Sequence, residues 1–271
     1  MARQLRFQYP GAVYHVMARG DGGKRLFIGK EDHESFLYWL ERVCVSHGWR
    51  VHAWVLMGNH FHLLIETPEA NLSAGMRVLL GTFSQAWNSR HQRRGHVFQG
   101  RYKAVPVAGE RAADPHYFKV VADYIHLNPA RAGLAGGTQG KLAGYLWSSL
   151  RHYAKGDPPS WLELKRVLDA FQLSHDRRGR AGYVASLEAR AASHGGKVDE
   201  ASMQALRRGW YLGEESFKDR LLGLLDGAQA KILKPGNHAG GAVRAHNERE
   251  AERIITAVGA HLGMPTTLVH L

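Results

Sequence analysis

His60 and His62 stand two positions apart, and Tyr124 and Asn128 stand four apart. The first spacing puts two imidazoles on one face of a strand. The second puts a phenol and an amide on one face of a helix. Around the histidines, Ala53–Met57 and Phe61–Ile65 form two apolar runs separated by Gly58-Asn59, the pattern of a β-hairpin. Neutral imidazoles on one rigid strand can share a divalent cation. The chain has 17 His, so roughly one His-x-His triplet is expected by chance. Taken alone, the triplet is equally two ordinary strand histidines.

Tyr124 and Asn128 add a second chemical possibility. A tyrosine hydroxyl is a poor nucleophile at neutral pH, with a pKa of about 10. It can attack a phosphodiester whose charge is drawn off by a bound cation. Asn128 would offer an amide oxygen beside His60 and His62. That ligand set suits Mg2+ or Mn2+ with modest affinity and leaves positions open for phosphate oxygen and water. On these residues alone the plainer reading is favoured: Tyr124 in a helix core and Asn128 as the polar end before Pro129.

Composition narrows the partners. The net charge is +12 and the pI is near 9.9. This points to a polyanion, with nucleic acid the first candidate and an anionic membrane surface the second. No apolar run approaches the roughly 20 residues of a membrane span, and the N-terminus lacks an apolar signal core. Cys44 is the only cysteine, which excludes an intrachain disulfide and a Cys-based zinc site, and its helical pattern places it in a core. A cytoplasmic, nucleoid-associated protein is the expectation.

The elements that must position these residues follow from periodicity. Gly11 to Met17 reads as a strand and Glu31 to His47 as a helix with Gly48 as its stop. The hairpin follows. A helix starts after Asn71 as N-cap, with Leu72, Met76, Leu79, Leu80, Phe83 and Trp87 as its stripe. Val97 to Val107 reads as a strand. The order β-α-β-β-α-β is that of a ferredoxin-like antiparallel sheet, an α+β fold with helices on one face and the other face free for a site. A helix over His116 to Leu127 follows, capped by Asp114 and terminated by Pro129. Gly156-Asp-Pro-Pro159 reads as a boundary. Beyond it come helices at Trp161–Phe171, Asp176–Ala192, Ser202–Arg208, Glu214–Leu225 and Glu248–Leu262, with a linker over Lys234–Gly241. This gives three parts: 1–155, a helical extension 156–235, and 236–271 with a linker and a last helix that reads equally as the start of a helix-turn-helix module or as a packing helix.

From Ala70 to Gly109 the chain has no Asp or Glu but holds Arg77, Arg90, Arg93, Arg94, Arg101 and Lys103, interleaved with Phe83, Trp87, Phe98 and Tyr102. Cationic groups neutralise phosphates and aromatic faces stack on unpaired bases. Phe83 and Trp87 share a helix face and read as core. The arginines at 90 to 94 read as phosphate contacts.

Several stretches carry a resemblance. They are Arg6-Phe-Gln-Tyr-Pro-Gly-Ala-Val-Tyr-His-Val-Met-Ala-Arg-Gly20, Trp54-Val-Leu-Met-Gly-Asn-His-Phe-His-Leu-Leu-Ile-Glu66, Gly95-His-Val-Phe-Gln-Gly-Arg-Tyr-Lys103, Tyr124-Ile-His-Leu-Asn-Pro-Ala-Arg-Ala-Gly-Leu134 and Trp147-Ser-Ser-Leu150. In this order the chain resembles the REP-associated tyrosine transposases of the single-tyrosine HUH superfamily, over residues 5 to about 153. The resemblance implies an HUH nuclease fold, with His60 and His62 as metal ligands, Tyr124 as nucleophile and Asn128 as a metal-proximal residue. It implies a Mg2+- or Mn2+-dependent single-strand endonuclease and strand-transferase working through a 5′-phosphotyrosine link. Its DNA would be single-stranded, beside a repetitive palindromic hairpin, and tracked by Arg90, Arg93, Arg94, Arg101 and Lys103. A monomer or homodimer without a membrane partner is expected. The alternative is a domesticated DNA-binding protein without cleavage. Gly58 stands where Pro often precedes Asn-His in such proteins, which is expected to loosen the turn. The part after Ser160 exceeds the compact members. Longer members carry a stretch like Gly209-Trp-Tyr-Leu-Gly213 and a helical module, which this chain would end inside.

Overall fold

The computed structural model describes residues 3–4, 6–109, 115–197, 206, 209–226, 238–239 and 241–261. The chain divides into two compact units, residues 8–212 and residues 1–7 with 213–271.

In the larger unit, strand β1 (Ala12–Arg19) leads to helix α1 (Lys30–His47). The hairpin of β2 (Arg50–Met57) and β3 (His60–Thr67) follows, then α2 (Leu72–Arg90) and β4 (Lys103–Val107). The strands lie in the order β2-β3-β1-β4, all antiparallel. This is the expected ferredoxin-like arrangement in an α+β fold. The last strand is shorter than its apolar run because residues 97–102 form turns and an isolated bridge, Gly20 to Phe98.

Alternation along β3 sorts its side chains. Phe61, Leu63 and Ile65 join Tyr14 and Val16 in the core under α1 and α2, with Phe36, Leu40, Val43, Leu79 and Phe83. Cys44 is buried there too, and burial pushes its thiol up to about 12. His60, His62 and Glu66 take the opposite face. That face is not bare, as the sequence suggested: α3 (His116–His126) packs on β2 and β3 there. Apolar Phe118, Val121, Ala122 and Ile125 supply the contact, each 2% exposed or less.

Asn71 precedes α2 but does not cap it with its side chain. Its amide instead accepts from Trp49 Nε1 at 2.7 Å and donates to the His47 carbonyl at 2.9 Å, tying the end of α1 to the start of α2. Asp114 lies outside the described residues, and Pro115 precedes α3 rather than opening it. Nor does Pro129 end the helical run. After Leu127 a second turn, α4 (Asn128–Arg131), begins with Pro129 in its first positions, where a missing N–H costs nothing.

After α4 the chain folds back on the sheet. Leu56 N donates to the Trp147 carbonyl, and Ser149 N to the Trp54 carbonyl, each at 2.9 Å. Helices α5 (Leu150–Lys155), α6 (Lys165–Ala170) and α7 (Arg177–His194) follow. Asp176 caps α7, accepting from Gly179 N at 2.9 Å. The helix expected from Trp161 is confined to α6, because the chain at Trp161–Glu163 bonds instead to Val51 of β2. Within the Gly209–Gly213 stretch, Leu212 is buried and makes a parallel bridge to Val107 of β4.

The smaller unit holds α8 (Glu215–Asp226), α9 (Gly241–His261) and a parallel pair of two-residue strands, Arg3–Gln4 with His238–Ala239. Arg249 donates to the Asp219 carbonyl at 3.1 Å, joining the two helices. Of the expected helix at Ser202–Arg208 only Leu206, helical and buried, is described, and most of the linker and the stretch after His261 lie outside the described residues. Among the described residues no helix is long and apolar enough to cross a membrane.

Candidate active site

The hairpin turn sets the position of His60. Gly58 and Asn59 link Met57 to His60, which pair directly. Gly58 is not in the left-handed region, and a Cβ there would meet only Arg25 side-chain atoms, at 3.7 Å or more. The turn is pinned rather than loose. The Gly58 carbonyl accepts from Leu26 and Phe27 N–H groups at 2.9 and 3.1 Å, and the Asn59 carbonyl accepts from Gly20 N at 2.9 Å.

His62 lies two residues on, on the same face, with its ring centroid 5.1 Å from that of His60. Its cross-strand partner on β1 is Met17, which brings His15 onto the diagonal. His15 Nε2 is 2.9 Å from His62 Nδ1. Burial lowers the pKa of His62 well below its ordinary value, with the neighbouring His15, His60 and Arg131 acting in the same direction. Burial also lowers His60, and takes His15 down to about 3 with Lys103 and Arg131 adding to it. All three rings are therefore neutral near pH 7, the form that coordinates cations.

Helix α3 delivers Tyr124 to these rings. Its phenol meets His62 edge-on at a centroid distance of 5.4 Å and His15 at 5.6 Å. Asn128, at the start of α4, lies beside the His60 side chain and acts against that lowering. Both are nearly buried, at 8% and 7% exposed. The structure thus gathers His60, His62, Tyr124 and Asn128 into one cluster within a single chain.

The cluster borders a pocket of about 540 Å³ lined by Met17, Ala18, Arg19, Asn59, His60, His62, Gln99, Arg101 and Lys103. Arg101 and Lys103 therefore join the site, while Arg90, Arg93 and Arg94 do not line this pocket. Arg93 and Arg94 are exposed on the turn after α2. Arg90 donates to Asp32 at 2.8 Å. Burial alone would raise Asp32, but His91, the Ile28 N–H and Arg90 together hold it below its usual range. Phe83, Trp87, Phe98 and Tyr102 are all buried, so the basic stretch offers charge without stacking faces.

Four neighbours escaped the sequence reading. His15 and Arg19 sit on β1, where alternation puts them on the site face, but only the strand register reveals which β3 residues they meet. Asn59 accepts from His60 Nδ1 at 2.8 Å. Arg131 donates to the Tyr124 carbonyl at 2.9 Å and lays its guanidinium 4.0 Å from the Tyr124 ring centre. Their spacing of seven residues across a helix break carries no simple sequence signal.

The donor set fits a divalent cation. Each imidazole has its Nδ1 engaged, by Asn59 and by His15, which leaves Nε2 for a ligand bond. The buried Nδ2 of Asn128 has no hydrogen-bond partner. Among the described residues no three His, Cys, Asp or Glu side chains converge as a metal cluster, so a cation here would rest on two imidazoles, one amide and its substrate.

Residues 8–128 match the family model of IS200-like transposases. This part of the chain is similar to an IS200-like transposase domain. The match spans the whole sheet and ends on Asn128. Comparison with curated proteins gives no match. Seven chains of solved structures match. One is a REP-associated tyrosine transposase bound to a REP hairpin, 18% identical, with 59% of this chain and 89% of that chain covered at a TM-score of 0.47. At this level the likeness adds nothing to the reading of the site.

Proposed function

We propose that this domain cuts and rejoins single-stranded DNA with Tyr124 as the nucleophile. The observation that carries the reading is the meeting of Tyr124, His62, His60 and Asn128 in one chain, beside a pocket edged by Arg19, Arg101 and Lys103. A divalent cation, Mg2+ or Mn2+, held by His60, His62 and Asn128 would polarise the scissile phosphate and offset its charge.

Within that frame each residue has a task. Arg19, Arg101 and Lys103 draw the phosphate backbone into the pocket by charge. Arg131 holds the Tyr124 ring from one side while His62 and His15 border the others, so the phenol is oriented before the strand arrives. The phenolic oxygen forms a bond to phosphorus as the bond to the 3′ oxygen breaks, and the proton passes, net, from phenol to the departing 3′ oxygen. A 5′-phosphotyrosine link and a free 3′-hydroxyl result. The link conserves the bond energy, so a later 3′-hydroxyl can reverse the step and join strands. A repetitive palindromic hairpin is the proposed DNA on the sequence resemblance. Because the four residues belong to one chain, the subunit cuts with its own tyrosine.

A DNA-binding protein without cleavage is the rival, and Tyr124 separates the two. Tyr124→Phe is expected to abolish nicking of single-stranded hairpin DNA in Mn2+ while DNA affinity stays within about twofold, since one hydroxyl adds little to backbone binding. Full nicking by the variant would remove Tyr124 from the role.

A further inference from the structure

Both imidazoles are gripped at Nδ1, and the two grips have a chemical direction. Asn59 Nδ2 donates to the Gly23 carbonyl at 3.2 Å. That contact fixes the amide, so the atom facing His60 Nδ1 at 2.8 Å is Oδ1. An amide oxygen only accepts. His60 Nδ1 therefore carries the ring proton, and Nε2 carries the lone pair.

His62 is gripped by another imidazole. Its Nδ1 lies 2.9 Å from His15 Nε2, and a neutral pair shares one N–H across that gap. His15 is fully buried in the central strand β1. With β1 paired on both sides, His15 cannot shift without disturbing two strand ladders. A ligand bond at His62 Nε2 obliges Nδ1 to carry the proton and to donate to His15 Nε2, which leaves the proton of His15 on its buried Nδ1, an atom without a hydrogen-bond partner.

We propose that His15 and Asn59 are positioning residues that fix the tautomer and ring orientation of His62 and His60, so that both Nε2 lone pairs are presented to one divalent cation. This rests on the metal reading above. Neither residue touches the reacting atoms. Such supporting contacts typically contribute 10–100-fold to metal affinity. Losing the acceptor at His62 Nδ1 favours the other tautomer, whose Nε2–H faces the cation and blocks it.

The test is Mn2+ binding to the full-length protein without DNA, by calorimetry, alongside thermal unfolding in metal-free buffer. His15→Leu fills the buried space but removes the acceptor, and it should weaken Mn2+ at least about tenfold. His15→Gln places an amide oxygen near the lost ring nitrogen and should restore most of the affinity. A merely structural role would track the melting temperature instead. Asn59→Ala, at the turn, should weaken Mn2+ similarly, while Asn59→Asp keeps the acceptor and should bind at least as well as wild type. Long-range 1H–15N spectra of the metal-free protein should show His60 protonated at Nδ1. Wild-type Mn2+ affinity in both His15→Leu and Asn59→Ala, or a His60 protonated at Nε2, overturns the positioning roles. Absence of Mn2+ binding by the wild type overturns the metal reading itself, and this proposal with it.

Discussion

Burial does most of the electrostatic work at the level of single residues. His126, on the helix that carries Tyr124, is fully buried between Tyr183, at 2.9 Å from Nδ1, and Ser149, at 2.7 Å from Nε2, and burial takes it down to about 3. His15 is driven to the same value. An unfolded imidazole titrates near 6.5, so as pH falls below that value the unfolded chain binds protons that the folded chain refuses. Stability contributed by these groups is complete above pH 6.5 and lost as pH falls towards about 3, at about 1.4 kcal/mol per pH unit per histidine. Glu66 enters later. Burial would raise it, but His52 and Arg166 bring it down to about 2, so its contribution begins to fade only below its ordinary value of 4.5. Between pH 6.5 and 4.5 the histidines set the slope. Denaturant midpoints of the metal-free protein are expected to fall steadily across that window, and His126→Gln is expected to flatten the slope by about one histidine's share. Strand and helix periods made legible that His60 and His62 share one face and Tyr124 and Asn128 another, but not that the two pairs meet, which the sequence suggested only through the family resemblance. His15, Asn59 and Arg131 were not legible, because their contacts depend on register and on a helix break.

Two elements decide whether the site forms. The hairpin carries the imidazoles, and its turn was expected to be loose because Gly58 replaces a stiffer residue. Bonds from Leu26, Phe27 and Gly20 to the turn carbonyls supply the stiffness instead. These come from the loop after β1, a segment with no periodicity to read. Helix α3 carries the tyrosine. Its Asp123 pairs with Arg190 of α7, although burial still leaves the carboxyl raised. Its His126 reaches Ser149, which itself bonds the Trp54 backbone of β2. The region beyond residue 128 thus clamps the tyrosine helix onto the sheet, a role invisible in a list of helices. On the opposite layer the fit is close at one glycine. A Cβ on Gly75 of α2 would lie 2.2 Å from the Trp49 ring, which is itself held by Asn71. Gly75→Ala is expected to destabilise the protein by about 1–3 kcal/mol through overpacking, despite better helix propensity. Thermal unfolding compared with Gly81→Ala, where a Cβ meets nothing within 4 Å, isolates the steric cost.

At the scale of the molecule, the order of strands and helices was readable because each apolar run has the period of its element. The packing of residues 150–197 on the sheet was not, because polar and buried contacts such as His126 to Tyr183 join residues far apart in sequence. The strongly basic charge, +12 over 271 residues, suits a chain that must grip a polyanion, and its pocket cations lie beside the imidazoles rather than along the buried aromatics. A domain that carries its tyrosine, its imidazoles and its basic pocket in one subunit should act as a self-sufficient strand-cutting unit. The most direct measurement is to incubate the wild-type protein with 5′-radiolabelled and 3′-radiolabelled single-stranded hairpin DNA in Mn2+, resolve the products on a denaturing gel, and map any adduct by peptide mass spectrometry. A covalent adduct on Tyr124, retaining the 3′-labelled fragment and releasing the 5′-labelled one with a free 3′-hydroxyl, is the predicted result. Cleavage without any protein-linked product, or an adduct on another residue, would contradict it.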